Sequence, residues 1–173
     1  MFLGQEYQIF DWFYIHFTEN NGMAFGLEFG GAWGKLVLSL FRILFVGYLI
    51  SYLAKLLRKN TDPILITCFS LVLAGAIGNI LDGAFYGLLF SDSYHQLAKF
   101  LPESGGYAPL FFGRVVDMFY FPIFKGYLPE WLPFFGGDYF VFFRPVFNIA
   151  DAAISVGVGV MILFQKRVMA ALE

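Results

Sequence analysis

Five polar side chains occur inside two apolar runs of this sequence. Asn79 and Asp82 lie three residues apart in one run, and Asn148, Asp151 and Ser155 recur at intervals of three and four in the other. Residues spaced in this way share one face of a helix. A carboxyl group within a membrane helix costs about 2.5 to 3.5 kcal/mol on insertion scales, so it is a functional candidate by default. Asp151 is therefore the first candidate, and a hydrogen bond that only packs two helices is the alternative.

A second carboxylate, Asp117, ends the extended-looking run 113–117, which lies outside the apolar helices. Alone it would be an ordinary loop residue. Two carboxylates within a few ångströms of each other do not both ionise easily, so one keeps a proton while the other acts as a base. Such a pair can hydrolyse a peptide bond, because the protonated member polarises the carbonyl group and the ionised member activates water. If the chain is an enzyme, Asp117 and Asp151 are the expected active groups.

Other catalytic groups have weak support in the sequence. A single cysteine, Cys68, forms neither an internal disulfide nor a multi-cysteine metal site, and it is expected to be a packing residue. His16 and His95 lack the paired spacing of metal ligands. A serine triad has no elbow motif to support it. We therefore expect no metal.

The composition indicates a membrane protein. Hydrophobic residues make up 59% of the chain and charged residues 14%, with a mean hydropathy of +0.69. These values are too apolar for an ordinary soluble domain of this length. The net charge of -2 gives no excess of basic residues for a phosphate backbone, so we expect no nucleic-acid partner.

Three apolar runs predict membrane-spanning helices, over residues 33–59, 61–90 and 145–168. Thr61-Asp62-Pro63 provides a capping side chain and a proline for the first turn of the second helix. Basic residues end the first run (Lys55, Arg58 and Lys59) and the third (Lys166 and Arg167), so both places are expected to face the cytoplasm. The segments 1–32 and 91–144 then face outward. The predicted fold class is an all-α integral membrane protein, a small helix bundle in one domain over residues 1–173.

Two outward segments carry further signals. Residues 11–17 alternate between apolar and polar side chains before the Thr-Glu-Asn-Asn-Gly stretch, which predicts a strand that runs into a tight turn and a small outward-facing sheet. Residues 119–143 are rich in aromatic side chains but are interrupted by prolines and a glycine pair, so we expect them to lie along the interface. They could form a passive aromatic belt or a lid over a lipid-bearing substrate.

The predicted helices place polar groups in one layer near the outer face. With a rise of about 1.5 Å per residue, Asp151 lies roughly 9 Å below a helix start at Pro145. Asn79 and Arg42 come out at comparable depth by the same count. The alternative for Arg42 is that its side chain extends toward the outer headgroups.

Four blocks of the sequence resemble the signal peptidase II (lipoprotein signal peptidase) family of bacterial intramembrane aspartic proteases. They are ENNGMAFG at 19–26, GAIGNILD at 75–82, GRVVD at 113–117 and FNIADAAI at 147–154. The resemblance implies that Asp117 and Asp151 are the catalytic dyad. It also implies a set of residues that bind substrate or shape the site: Asn20, Gly22, Asn79, Asp82 and Asn148.

The same resemblance implies the reaction and its setting. The expected reaction removes the signal peptide from a prolipoprotein, on the N-terminal side of a cysteine that carries diacylglycerol. Neither a metal nor an organic cofactor is implied. The expected partners are diacylglyceryl prolipoproteins and membrane lipid. The expected location is the bacterial inner membrane, with several spans and an active site near the outer leaflet.

Two features depart from the family pattern. Family members usually have four spans, the first of which carries an Asp and a Lys, and this sequence shows no such helix, so we expect a truncated or misassigned start. Gly83 stands where the family commonly has Arg after the Asp. Our hypothesis is that Arg42 supplies the missing cation to Asp82 and so belongs to the site.

Two other functions stay open at this point. One is a non-catalytic membrane scaffold or carrier, which would use the polar layer for helix packing or ligand binding. The other is a different intramembrane aspartic protease, such as one that trims pilin precursors, whose cleavage would not depend on a diacylglyceryl group.

Overall fold

The computed structural model describes residues 1–21 and 31–172. The helices of these residues are α1 (Gly31–Arg58), α2 (Pro63–Leu89), α3 (Ile149–Leu163) and α4 (Gln165–Leu172). The strands are β1 (Glu6–Phe10), β2 (Phe13–Asn20), β3 (Val115–Tyr120), β4 (Phe124–Tyr127), β5 (Tyr139–Phe142) and β6 (Val146–Phe147). The chain divides into two compact units. The first comprises Met1–Glu19, Ser93–Leu97 and Val116–Asn148, and the second comprises Asn20–Asp92, Ala98–Val115 and Ile149–Glu173.

Two helices of the second unit are long and apolar enough to cross a membrane. The candidate spans are Trp33–Arg58 and Pro63–Leu89, which correspond to the first two predicted runs. Large apolar side chains such as Phe41 and Leu44 remain mostly exposed on α1. Surfaces of this kind need lipid rather than water as their solvent. The predicted cap of α2 is confirmed, because the Asp62 side chain accepts a hydrogen bond from the backbone N–H of Ile64 at 2.8 Å.

The predicted start of the third helix at Pro145 is wrong. Val146 and Phe147 form the short strand β6, and α3 begins only at Ile149. The reason is a non-local pairing, since Val146 lies opposite Tyr120 in an antiparallel ladder. Asp151 is therefore in the first turn of α3, about 3 Å along the helix axis from its start rather than 9 Å.

The third apolar run is also interrupted near its end. Helices α3 and α4 meet at an angle of 86° across Phe164, so they count as a further span only if the bent pair is one span. An ion pair between Arg167 and Asp62 lies at this end of the second unit. It brings the basic end of the third run to the start of α2, and hence near the basic residues that close α1.

Glycines let α2 and α3 approach each other closely. A Cβ atom on Gly75 would lie 2.3 Å from the carbonyl oxygen of Ala150 and 2.7 Å from Cγ1 of Ile154. Further along the same pair of helices, a Cβ atom on Gly157 would lie 2.8 Å from the carbonyl oxygen of Cys68. Helix α3 therefore packs against α2 at the small residues of this seam.

The first unit contains an antiparallel sheet with the strand order β1-β2-β3-β6. Aromatic rings pack across it, and the Phe13 and Phe121 centroids lie 4.7 Å apart. The predicted strand exists as β2, but it continues through Asn20, where a tight turn was expected. The all-α label is thus incomplete, because the fold combines membrane helices with small antiparallel sheets.

The aromatic segment 119–143 is largely a hairpin. Strands β4 and β5 form a separate two-stranded sheet, in which Tyr127 pairs with Tyr139 and Phe124 with Phe142. Residues 128–138 connect them, and we call this connection the aromatic tip. Phe134, within it, has a positive φ of 71°. A non-glycine residue in this region carries strain of about 1 to 3 kcal/mol.

Candidate active site

The carboxylate of Asp117 is buried in the first unit. It lies on β3, whose first three residues are all buried, and only 5% of its surface is exposed. The side-chain amide of Asn148, itself 7% exposed, donates a hydrogen bond to Asp117 Oδ1 at 2.8 Å. Burial of an acidic group is costly unless hydrogen bonds compensate it. The structure therefore brings together two of the predicted site residues, and Asn148 orients the carboxylate.

The carboxylate of Asp151 has the same kind of partner in the second unit. The side-chain amide of Asn79 on α2 donates a hydrogen bond to Asp151 Oδ1 on α3 at 2.9 Å. This contact depends on the close packing of the two helices at Gly75 and Gly78, where a Cβ atom on Gly78 would lie 3.2 Å from the Ala150 side chain. Each of the two candidate carboxylates thus accepts a hydrogen bond from an asparagine of the predicted set.

Asp151 also interacts electrostatically with two more of the predicted residues. They are Arg42 on α1 and Asp82 on α2. The hypothesis paired Arg42 with Asp82, and this pairing stays a prediction. Helices α1, α2 and α3 each contribute to this cluster of the second unit, which consists of Arg42, Asn79, Asp82 and Asp151.

The segment that leads into β3 is held against the second half of α2. The N–H of Gly113 donates a hydrogen bond to the carbonyl oxygen of Gly83 at 2.9 Å. A Cβ atom on Gly113 would lie 2.7 Å from the backbone nitrogen of Gly87 and 3.0 Å from the carbonyl oxygen of Asp82. Gly83, the departure from the family pattern, therefore contributes a backbone acceptor at this contact.

Two interactions of this region were not expected from the sequence. Lys35, near the start of α1, donates hydrogen bonds from Nζ to Asn21 Oδ1 at 2.9 Å and to the carbonyl oxygen of Phe112 at 3.0 Å. The phenol oxygen of Tyr107 accepts a hydrogen bond from the N–H of Arg114 at 2.6 Å. The sequence offered one signal for the Lys35–Asn21 contact, because a lysine lies shortly after the asparagine. Nothing in the sequence indicated that Lys35 would also donate to the carbonyl oxygen of Phe112.

The other predicted candidates are placed as follows. Asn20 is the last residue of β2 and is partly buried, whereas Gly22 lies outside the described residues. Cys68 is buried against α3, as expected for a packing residue. His16 contacts Glu6. Within residues 1–21 and 31–172, no group of three His, Cys, Asp or Glu side chains could hold a metal ion.

Comparison with known proteins identifies relatives along the whole chain. The family model described as "Signal peptidase (SPase) II" matches residues 1–166. A lipoprotein signal peptidase of Porphyromonas gingivalis is 52% identical over 173 residues, which are 99% of this chain and 75% of the relative. A lipoprotein signal peptidase of Amoebophilus asiaticus is 37% identical over 165 residues, 95% of this chain and 66% of the relative.

A solved structure shares the fold. It is described as a bacterial membrane enzyme, and it matches with a TM-score of 0.53 and 21% sequence identity. The match covers 96% of this chain and 74% of the solved chain. At this identity the likeness supports the fold alone.

Proposed function

This chain belongs to the signal peptidase II family, and from that premise we propose that Asp117 and Asp151 are the catalytic carboxylates of its peptidase activity. The reaction is the cleavage of the signal peptide from a prolipoprotein. The aspartic mechanism and the roles of the individual residues are our proposal.

One observation carries this assignment, namely the matched hydrogen bonds of the two carboxylates. Asn148 donates to Asp117 at 2.8 Å, and Asn79 donates to Asp151 at 2.9 Å. A catalytic carboxylate must be held in one orientation by neighbours that are themselves fixed. The two asparagines fit this role, because one adjoins a packed strand and the other lies on a packed helix.

Chain continuity gives independent support. Asn148, the partner of Asp117, precedes Asp151 by three residues in the sequence. Three residues of fully extended chain span at most about 11 Å between Cα atoms. The asparagine that holds one carboxylate is therefore tethered close to the other by covalent structure alone.

The proposed chemistry is general acid–base hydrolysis. One carboxylate, ionised, takes a proton from a water molecule, whose oxygen attacks the scissile carbonyl carbon. The other, protonated, donates a hydrogen bond to the carbonyl oxygen as negative charge develops there. When the tetrahedral intermediate collapses, the C–N bond breaks and the leaving nitrogen receives the proton that the first carboxylate took from water. Arg42 acts as a positioning residue through its charge interaction with Asp151.

The substrate and setting complete the proposal. The substrate carries diacylglycerol on a cysteine, and the cut falls on the N-terminal side of that cysteine. Lipid attachment holds the scissile bond at a fixed depth and so raises its effective concentration. We place the enzyme in the bacterial inner membrane as one peptidase domain over residues 1–173, with three spans in this chain. Its basic helix ends face the cytoplasm, and its active site lies near the outer leaflet.

The test is a cleavage assay on the purified protein with a diacylated prolipoprotein, read as a shortened product on a gel. We expect cleavage by the parent and none by Asp117→Asn or Asp151→Asn. Asp11→Asn is the matched control, because Asp11 is an exposed carboxylate whose partner is Gln8. It should cleave like the parent. Full activity of either site variant would refute the assignment.

The same assay distinguishes the other functions. A scaffold or carrier predicts no cleavage by any variant. A protease of the pilin-trimming type predicts equal cleavage of the unlipidated precursor, whereas we expect cleavage to require the diacylglyceryl group.

A further inference from the structure

The aromatic tip exposes large apolar side chains almost completely. Phe134 is 97% exposed and Trp131 is 80% exposed, and Phe135 is exposed as well. A contiguous set of exposed aromatic residues on a protein surface marks an interaction site more often than a passive surface. The tip contains no Lys or Arg, so an acidic partner has nothing to pair with there.

The tip is ordered by its own backbone. Gly136 donates a hydrogen bond to the carbonyl oxygen of Leu132 at 3.0 Å, and Gly137 donates one to that of Leu128 at 3.0 Å. Phe134 adopts a left-handed conformation, with φ of 71°. A bulky residue held in this strained region, with its ring directed away from the rest of the chain, is typical of a functional contact.

The base of the hairpin is attached to the sheet of the first unit. The ammonium group of Lys125 on β4 lies 4.3 Å from the ring centroid of Tyr14 on β2 and 5.8 Å from that of Tyr120 on β3. Cation–π contacts of this kind fix the position of the hairpin stem. The tip is therefore presented by a supported stem.

We propose that the aromatic tip inserts into the surface layer of the lipid bilayer and forms an attachment separate from the spanning helices. The rings of Phe134 and Trp131 are almost fully exposed, and such rings suit penetration into a fluid better than the enclosure of a ligand, which needs a concave site. Trp and Phe are the residues that bind at the boundary of headgroups and acyl chains, at a depth of about 5 to 10 Å.

Continuity with the membrane helices supports lipid as the partner. Residues 143–148, which include β6, connect the hairpin to the apolar helix α3. The hairpin is therefore six residues away in the sequence from a helix that the composition assigns to lipid. Because the tip lacks basic residues, its insertion depends on apolar contact and is insensitive to salt.

Tryptophan fluorescence of the whole chain in phosphatidylcholine vesicles tests this proposal. The chain has three tryptophans, so Trp12→Phe with Trp33→Phe leaves Trp131 as the reporter. We expect blue-shifted emission, and quenching by nitroxide lipids that are labelled near the headgroup. This quenching should exceed the quenching by aqueous iodide roughly twofold, as for a ring at the interface. It should be unchanged at high salt.

The matched control keeps Trp12 instead, a ring of the same unit that stacks on Phe10. Adding Phe134→Ser and Phe135→Ser should reduce lipid quenching of Trp131 but leave the Trp12 signal unchanged. Water-like emission of Trp131 with dominant iodide quenching would overturn the proposal. So would lipid quenching that appears only after a lipidated substrate is added, because the tip would then contact substrate.

A second measurement covers the case in which the serine variants do not fold. Phe134→Cys in nanodiscs should react with a water-soluble maleimide about tenfold more slowly than Glu103→Cys, which replaces an exposed loop residue. Equal reaction rates would contradict insertion. Neither readout uses cleavage, so failure of this proposal is distinguishable from failure of the catalytic assignment.

Discussion

The contact between α2 and α3 makes Gly75→Ala the sharpest perturbation of the site. The new Cβ atom would lie 2.3 Å from the carbonyl oxygen of Ala150, and ordinary contact begins at 3.4 Å. That oxygen belongs to the backbone of α3, so a side-chain rotation cannot relieve the clash. The start of α3 must therefore move away by about 1 Å.

The displacement acts directly on the candidate catalytic group. Asn79 lies one helical turn after Gly75, and its 2.9 Å hydrogen bond to Asp151 would lengthen to about 4 Å, beyond the limit of about 3.2 Å. A misplacement of about 1 Å can reduce a rate about 100-fold. Overpacking costs about 1 to 3 kcal/mol, partly offset by the higher helix propensity of Ala, about 1 kcal/mol.

The assay compares Gly75→Ala with Gly159→Ala, a control in α3 where a Cβ atom meets nothing within 4 Å. We expect kcat/KM for the lipidated substrate to fall about 100-fold in Gly75→Ala, together with a lower melting temperature in detergent. Gly159→Ala should keep the parent rate and melt at the same or a slightly higher temperature. If the two variants behaved alike, the role given to the helix seam would be refuted.

Three further predictions concern the neighbours of the carboxylates and one ion pair outside the spans. Replacing Asn79 or Asn148 by Ala should lower kcat at least about tenfold with little change in KM, because the lost hydrogen bond orients a carboxylate. A rise in KM with kcat unchanged would contradict this prediction. Arg42→Gln should reduce kcat, whereas Arg42→Lys should keep most of the parent kcat, because Arg42 acts through its positive charge. Steady-state kinetics of the two variants tests this prediction. The hydrogen bond from Arg167 lowers the pKa of Asp62, so this carboxylate stabilises the fold above its ordinary pKa and loses that effect as the pH falls through the lower folded-state value. Asp62→Asn keeps a capping side chain and should melt below the parent at pH 7, with the two melting curves converging below about pH 4; a constant difference across this range would contradict the assignment.

Local signals predicted the first two helices well because their information is local. Asp62 and Pro63 define the start of α2 through one hydrogen bond and a fixed φ, and both features are visible in three consecutive residues. The start of α3 was missed because Val146 and Phe147 are apolar in either conformation. Only their pairing with β3, across a long stretch of chain, makes them a strand.

The candidate site shows the same contrast between local signals, which the sequence displays, and non-local contacts, which it does not. The shared face of Asn79 and Asp82 was visible as helical spacing, and Asn79 on this face contacts Asp151 of α3. The partner of Asp117 is 31 residues away in the sequence, so no periodicity in the sequence indicated its hydrogen bond with Asn148. The pairing of Arg42 with Asp82 stays a prediction, because spacing along separate helices gives depth but not the rotation of each helix about its own axis.

The ladder between β3 and β6 has a further consequence for how this chain can vary in length. Tyr120 and Val146 are directly opposite each other, so residues 121–145 leave the sheet and return to it at adjacent positions, about 5 Å apart. The excursion, with its self-paired hairpin, is an insertion at a single point of the backbone ladder, and Phe121 at its start packs on the sheet through Phe13 and Phe147. A two-residue turn could replace it, and foreign segments could be grafted there while the strand that carries the buried aspartate keeps its register.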